Sequence, residues 1–239
     1  MAVEQKQERV LTDPIEKYVP PPGMTKQQLI DEYHKLYYGS AYEEGVGWQR
    51  TAWMGFPLFK MPSDLISLID VIWQTKPALI IETGTAAGGS ALFMATFLDA
   101  CGAGKIVTVD ITSVNRSYPA HPRIAYLGGK SSVDPGVLAE IQTYIDFHGG
   151  PVMVILDSDH SEEHVAKELE AYHTFVTPGA YLIVEDVNVN NHPVLKEHGP
   201  GPWEAAEAFF PKHPEFKQDT RIPSYHLFSQ HGWYRRVRG

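Results

Sequence analysis

Five stretches of the chain are nearly continuous apolar runs rather than alternating ones: Ala78–Glu82, Lys105–Ile111, Ile124–Leu127, Val152–Leu156 and Ala180–Val184. A strand with one wet face alternates, whereas a strand covered on both faces does not, so these runs read as parallel strands of a buried sheet. Between them the pattern predicts helices over Ser63–Trp73, with Ser63 as cap, and over Gly89–Cys101, Pro135–His148 and Ser161–Val176. Strands and helices alternating in this way predict right-handed βαβ units in a doubly wound, mostly parallel α/β sheet. Beyond Pro202, a helix to Phe210 and a last strand near His226–Ser229 close the pattern.

The region ahead of the sheet is different. The first 24 residues or so are polar and end in Pro20-Pro21-Pro22-Gly23, which breaks helices and has little to bury. Thr25 is placed to cap a helix reaching Tyr38, with Leu29, Ile30, Tyr33, Leu36 and Tyr37 as its apolar face. Gly39–Pro62 is too apolar for a linker and too irregular for one long element, which suits a lid or wall over a site. The chain therefore divides into an N-terminal arm with a helical and aromatic lid region, residues 1–62, and an α/β domain, residues 63–239.

Polar chemistry collects where each apolar run ends, which is where ligands bind in open α/β sheets. The first strand leads into Glu82-Thr83-Gly84-Thr85-Ala86-Ala87-Gly88-Gly89-Ser90, whose glycines let a ligand approach the backbone. No lysine follows them, so this is not a phosphate-transfer loop. Asp110 ends the second strand and can accept hydrogen bonds from ribose hydroxyls. Ser131 and Ser132, after the third strand, are placed either to meet an adenine edge or to lead into the next helix. The candidate nucleoside-cofactor set is thus Glu82, Gly84, Thr85, Gly88, Ser90, Asp110, Ser132 and Asp157.

The fourth strand runs into Asp157-Ser158-Asp159-His160 and the fifth into Glu185-Asp186. Neighbouring strands lie about 4.8 Å apart, which should draw Asp159, Glu185 and Asp186 together. Three clustered carboxylates repel unless a cation joins them, and hard oxygen donors suit Mg²⁺, Ca²⁺ or Mn²⁺. His160 is the candidate general base, with Asp159 beside it, although a place at the helix start or behind the metal fits His160 nearly as well. His160-Ser161-Glu162-Glu163-His164 also fits the H-x-x-E-H pattern of inverted zinc peptidases. An NAD-dependent oxidoreductase and a metal-dependent hydrolase built on His160 and His164 therefore stand as alternatives.

The net charge of −9 opposes binding to phosphate backbones, so no nucleic-acid partner is expected. Arg235, Arg236 and Arg238 read as a solvated basic tail. The one cysteine, Cys101, excludes an intrachain disulfide and reads as core packing. MAVEQKQERV lacks an apolar signal core, and no run approaches the ~18 apolar residues of a membrane span. The expectation is a cytoplasmic protein with no membrane partner, its oligomeric state open and a homo-oligomer included.

The runs IIETGTAAGGSA, VTVDI, GGKSSVDP, ILDSDHS and LIVEDVN, with AWMGFPLFKMPSDL upstream, resemble the cephalosporin-hydroxylase family, over about Trp53 to Trp233. That family contains O-methyltransferases of the cephamycin-biosynthesis and sugar types. The resemblance implies a Rossmann-like methyltransferase sheet that uses S-adenosylmethionine and Mg²⁺, or Mn²⁺, to methylate a hydroxyl of a small-molecule acceptor such as a sugar or natural product. It implies metal acids at Asp159, Glu185 and Asp186 and cofactor contacts at Glu82, Gly84, Asp110 and Ser132. The metal segment is also similar to catechol-type methyltransferases, but Glu185-Asp186 stands where that group has Asp-Asn.

Overall fold

Thr25 and Gln28 cap each other at the start of α1 (Lys26–Glu43): the Gln28 amide donates to Thr25 Oγ1 at 3.1 Å and the Thr25 amide to Gln28 Oε1 at 2.8 Å. This reciprocal box satisfies donors that a bare helix start leaves unpaired. The molecule, a computed structural model, is described over residues 18–43, 47–114, 117–222 and 228–238. Helix α1 outruns its expected end and buries His34 and Tyr38, not the face that apolar periodicity selects; Tyr33 and Leu36 are exposed. The reason is its partners: Tyr38 packs with Met61, Val194 and Phe228, and His34 stacks on Phe228 and meets Asn188 at 3.1 Å.

A small antiparallel hairpin, β1 (Ala52–Trp53) and β2 (Phe56–Pro57), precedes α2 (Pro62–Thr75). Ser63 does not cap α2; Met61 is its N-cap residue and Pro62 occupies the first turn. The core then alternates through β3 (Leu79–Thr83), α3 (Gly89–Cys101), β4 (Lys105–Asp110), β5 (Ile124–Gly128), α4 (Pro135–His148), β6 (Val152–Leu156), α5 (Glu162–Tyr172) and β7 (Tyr181–Val184). Every residue of β3, β6 and β7 is buried, as non-alternating runs require.

The seven-stranded sheet has the order β5-β4-β3-β6-β7, followed by β9 (Trp233–Arg236) and β8 (Phe216–Gln218), with α6 (Pro202–Phe209) ahead of β8. The first five strands pair in parallel, and β9 runs antiparallel to both β7 and β8. The doubly wound, mostly parallel α/β class expected from the sequence is the class observed. The order in which successive strands are added across the sheet reverses between β3 and β6, so the ends of these two parallel strands form the switch point of the sheet.

Three details differ from the sequence expectations. The final strand is not at His226–Ser229: residues 226 and 227 lie outside the described part, Phe228 and Ser229 form a turn, and β9 lies further on. Arg235 and Arg236 are not a solvated tail, since Arg235 donates to the Gly179 carbonyl and Arg236 to those of Thr174 and Val176. Cys101, at the end of α3, is only partly buried. Among the described residues no helix is long and apolar enough to cross a membrane.

Candidate active site

Gly84 begins the loop that follows β3, and its position shows why glycine is required there. Its φ is +88°, and a Cβ at this place would stand 1.8 Å from the Asp157 carbonyl oxygen. The loop after β3 and the loop after β6 therefore touch backbone to backbone. Beside this contact lies a cleft of about 350 Å³ whose lining includes Gly84, Ala86, Asp110, Ser132, Asp157, Asp159 and His164.

Asp110 faces the loop. Its Oδ2 accepts from the Ala86 amide at 2.9 Å, and its Oδ1 accepts from the Thr112 amide and hydroxyl, both at 2.8 Å. Ser132, at the opposite wall, donates to Glu168 Oε1 at 2.5 Å, and Ser158 donates to the same oxygen at 2.7 Å. His164 Nε2 stands 3.2 Å from Ser132 Oγ and 3.4 Å from Glu168 Oε1. Thr85 and Ser90 are buried, Thr85 on Thr108 at 2.8 Å, and Gly88, with φ +76°, is the N-cap of α3. Glu82 lies under the loop, accepts from Thr108 Oγ1 at 2.7 Å, and leaves Oε1 unpartnered.

The carboxylate cluster is built differently from the expected Asp159, Glu185 and Asp186. The last register pair between β6 and β7 is Leu156 with Val184, so Asp157 and Glu185 emerge side by side. Asp157, His160 and Asp186 present ligand-type atoms that all lie within 4.8 Å of one another. His160 Nε2 is 3.2 Å from Asp186 Oδ2. Asp186 takes a left-handed φ of +52°, a strained conformation for a non-glycine residue that fixes the direction of its side chain. Asp159, two residues beyond the strand end, is already in the turn into α5, and its Oδ1 accepts from the Ser161 amide at 2.7 Å.

Glu185 turns away from this trio. Its Oε2 accepts from Ser229 Oγ at 2.6 Å, and its Oε1 meets Lys60 Nζ at 3.1 Å. The same ammonium lies 2.8 Å from Asp157 Oδ2. Burial by itself lowers the Lys60 pKa, but the attraction of Asp157 and Glu185 outweighs it and holds the ammonium well above its usual value. Burial also raises Asp157, with Lys60 opposing it. Asp64, buried nearby, accepts from the Phe228 amide at 2.9 Å; burial and then Glu185 keep its carboxyl well above the usual range. Lys60 and Asp64 were not singled out from the sequence. Their place in the segment before the sheet carries no strand-end signal, although both fall within the AWMGFPLFKMPSDL run.

The two histidines of the H-x-x-E-H run serve different partners, His160 with Asp186 and His164 with Ser132 and Glu168. They do not converge on one ion, which removes the zinc-peptidase arrangement.

Residues 46–237 match the family described as rhamnosyl O-methyltransferase/CmcI. The chain belongs to that family. It is 37% identical over 196 residues to the rhamnosyl O-methyltransferase of Mycobacterium tuberculosis strain H37Rv, covering 80% of this chain and 78% of that protein. The rhamnosyl O-methyltransferase of Mycobacterium leprae is 37% identical over 195 residues, covering 80% and 82%. Among solved structures, apo CmcI aligns with a TM-score of 0.63 at 18% identity over 95% of this chain and 90% of that one. CmcI with Mg and SAM aligns with a TM-score of 0.58 at 19% identity over 80% and 78%.

Within this rhamnosyl O-methyltransferase/CmcI member, Glu82 gives a direct test of the buried loop. Burial pushes its pKa up to about 7, against the opposing hydrogen bonds from Ser90 and Thr108. A carboxyl whose folded value is raised costs nothing below its unfolded value and destabilises as pH rises through the folded one. Glu82→Gln has no such penalty. The melting temperature of the variant relative to the parent is therefore expected to climb between pH 5 and pH 8, by the equivalent of a few kcal/mol at most. Thermal melts of the ligand-free protein across that range measure it, and a pH-independent difference would show Glu82 to be ordinary.

Proposed function

We infer that the protein is an S-adenosylmethionine-dependent, divalent-cation-assisted O-methyltransferase acting on a hydroxyl of a small molecule of the sugar or natural-product class. One observation carries this reading most: a nucleoside-sized cleft and the Asp157, His160, Asp186 group share one loop contact, Gly84 against Asp157, at the switch point of the sheet. Family membership supports methyl transfer over the nicotinamide alternative, and the names of the mycobacterial relatives favour a sugar hydroxyl. Residues 1–62 would supply the arm and lid, and residues 63–239 the methyltransferase domain.

The cleft fits the cofactor. Asp110 ends β4 where a ribose acceptor belongs, Gly84 and Ala86 offer a bare backbone wall, and Ser132 lines the far side. Bound there, S-adenosylmethionine supplies a sulfonium methyl group for in-line displacement. The Asp157 and Asp186 carboxylates, with Glu185 close behind Asp157, would fit a hard divalent cation such as Mg²⁺ or Mn²⁺ and leave a nitrogen of His160 free. Asp157 takes the place in that set first expected for Asp159. When bound, the cation polarises the acceptor hydroxyl and lowers its pKa. Asp186 orients the His160 ring, and His160 accepts the hydroxyl proton as methyl transfer proceeds. Asp159, on the cleft wall beside His160, is a second carboxylate within the acceptor's surroundings.

Asp110→Ala tests the cofactor half of the reading. Loss of charge-assisted hydrogen bonds at about 1.5–3 kcal/mol each should weaken S-adenosylmethionine by roughly ten- to a hundredfold or more, with the fold intact. Titration calorimetry on the variant measures this. Unchanged affinity would take Asp110 out of the site, and preferential binding of NAD by the parent protein would sink the assignment.

A further inference from the structure

Away from the cleft, His173, His213 and Glu215 form a second cluster whose ligand-type atoms all lie within 4.8 Å of one another. The three residues come from two connections of the chain. His173 starts the 3₁₀ turn His173–Phe175 that links α5 to β7, His213 follows the 3₁₀ turn Phe210–Lys212 after α6, and Glu215 immediately precedes β8. We propose that this cluster is a second metal site, for a borderline transition ion of the Zn²⁺ class, which ties the α5–β7 connection to the α6–β8 connection.

The case rests on how the two imidazoles are held. His173 Nδ1 is 3.0 Å from the Leu169 carbonyl oxygen. A carbonyl only accepts, so Nδ1 carries the proton and Nε2 keeps its lone pair. His213 Nδ1 and Glu215 Oε1 stand 3.1 Å apart, as two ligand atoms of one ion would, so the proton they share leaves when the metal binds and both atoms face the ion. Metal-binding histidines are typically fixed as His173 is, with one ring nitrogen donating to a carbonyl and the other free for the ion. Both rings are also locked by packing. His213 stacks on Phe209 with centroids 3.8 Å apart and 11° between planes, and His173 meets Phe209 edge-on at 5.4 Å and His213 at 4.7 Å. Little side-chain entropy remains to be lost on binding. Hydrogen bonds and the two neighbouring histidines hold the Glu215 carboxyl below its usual range, so a negative charge is present to offset the ion.

The ligand types select the metal. Two imidazoles and one carboxylate suit Zn²⁺, Ni²⁺ or Cu²⁺, whereas Mg²⁺ favours oxygen donors and would go to the cleft cluster. Three protein ligands on a part-exposed surface leave further positions to water.

The experiment is calorimetric titration of the metal-stripped full chain with ZnCl₂, with excess Mg²⁺ present to occupy the cleft. One Zn²⁺ equivalent is expected to bind. His173→Gln and Glu215→Gln should each weaken it by about tenfold or more, and His173→Gln with His213→Gln should abolish it, circular dichroism confirming that each variant is folded. Asp186→Asn should leave it unchanged. Zn²⁺ should also raise the melting temperature of the parent and not that of the double variant. Absence of Zn²⁺ binding, or binding that survives the double variant and disappears in Asp186→Asn, would overturn the proposal. The outcome is independent of whether the cleft performs methyl transfer.

Discussion

Chelation of divalent cations abolishes methyl transfer while leaving the fold and S-adenosylmethionine binding in place: this is the expected result of assaying the protein in EDTA and then adding Mg²⁺ or Mn²⁺ back. A Lewis-acid cation contributes several kcal/mol at a developing oxyanion, which corresponds to roughly a thousandfold or more in rate. The fold should persist because β3, β6 and β7 are buried along their whole length and need no ion to hold them. The cofactor should still bind because Asp110, the ribose acceptor, makes its hydrogen bonds to Ala86 and Thr112 and none to the trio of Asp157, His160 and Asp186. The two nearby aspartates then separate sharply. Asp157→Asn should cost at least the ~10–100-fold in Mn²⁺ affinity that losing even a supporting partner costs. Asp159→Asn should keep that affinity, whatever it does to turnover, since its carboxylate is committed to the Ser161 amide. Full activity in EDTA, or metal affinity lost on Asp159→Asn and kept on Asp157→Asn, would refute the assignment.

Replacing Lys60 with methionine should produce the largest loss of stability at any single position of the site. The ammonium bridges Asp157 at 2.8 Å and Glu185 at 3.1 Å, with the Lys60 and Glu185 side chains each only 7% exposed. Methionine fills similar space but leaves two buried carboxylates facing each other. Removing one partner of a buried ion pair costs about 3–5 kcal/mol, because the other charge stays behind unpaired. At roughly 2–4 °C per kcal/mol for a chain of this size, thermal melts resolve such a loss easily. Its pH dependence has a definite sign. Without Lys60 the Asp157 carboxyl, which burial raises, loses the charge that opposes the rise, so the deficit is small at pH 5 and grows toward pH 8. Mg²⁺ should recover part of it, and more in the variant than in the parent. A melting temperature unchanged at pH 8 would show the bridge to be energetically idle.

The strands were legible in the sequence because burial on both faces leaves an unmistakable run, and β6, α3 and α4 begin and end where the pattern puts them. Helix α1 was legible as a helix but not in its orientation. Its buried face is chosen by Asn188 and Phe228, which are distant in sequence and prefer His34 and Tyr38 to Leu36. Of the residues named from strand ends and their loops, Gly84, Asp110, Ser132 and Asp157 line the cleft, and Glu82, Thr85, Gly88 and Ser90 do not. For the carboxylate cluster the sequence named Asp159, Glu185 and Asp186, and the fold brings Asp157, His160 and Asp186 together; register, a property of the pair of strands, sets which residues emerge side by side. Lys60 was invisible to this reasoning because a lysine followed by Met61 and Pro62 has no periodic context; only the fold brings it to Asp157, 97 residues later.

That lysine also bears on how such a chain can be cut and recombined. A boundary drawn at the start of α2 keeps every strand of the seven-stranded sheet and both candidate cofactor walls, yet it discards the Lys60 ammonium that Asp157 and Glu185 share. A chimera that transplants residues 63–239 onto a foreign leader would inherit an intact sheet with an over-charged centre. A graft beginning before the hairpin, at Thr51, whose hydroxyl accepts from the Lys60 amide at 3.3 Å, would carry the counter-charge with it. The unit that can be inherited whole is thus longer than the sheet, and its first indispensable side chain lies outside the α/β repeat.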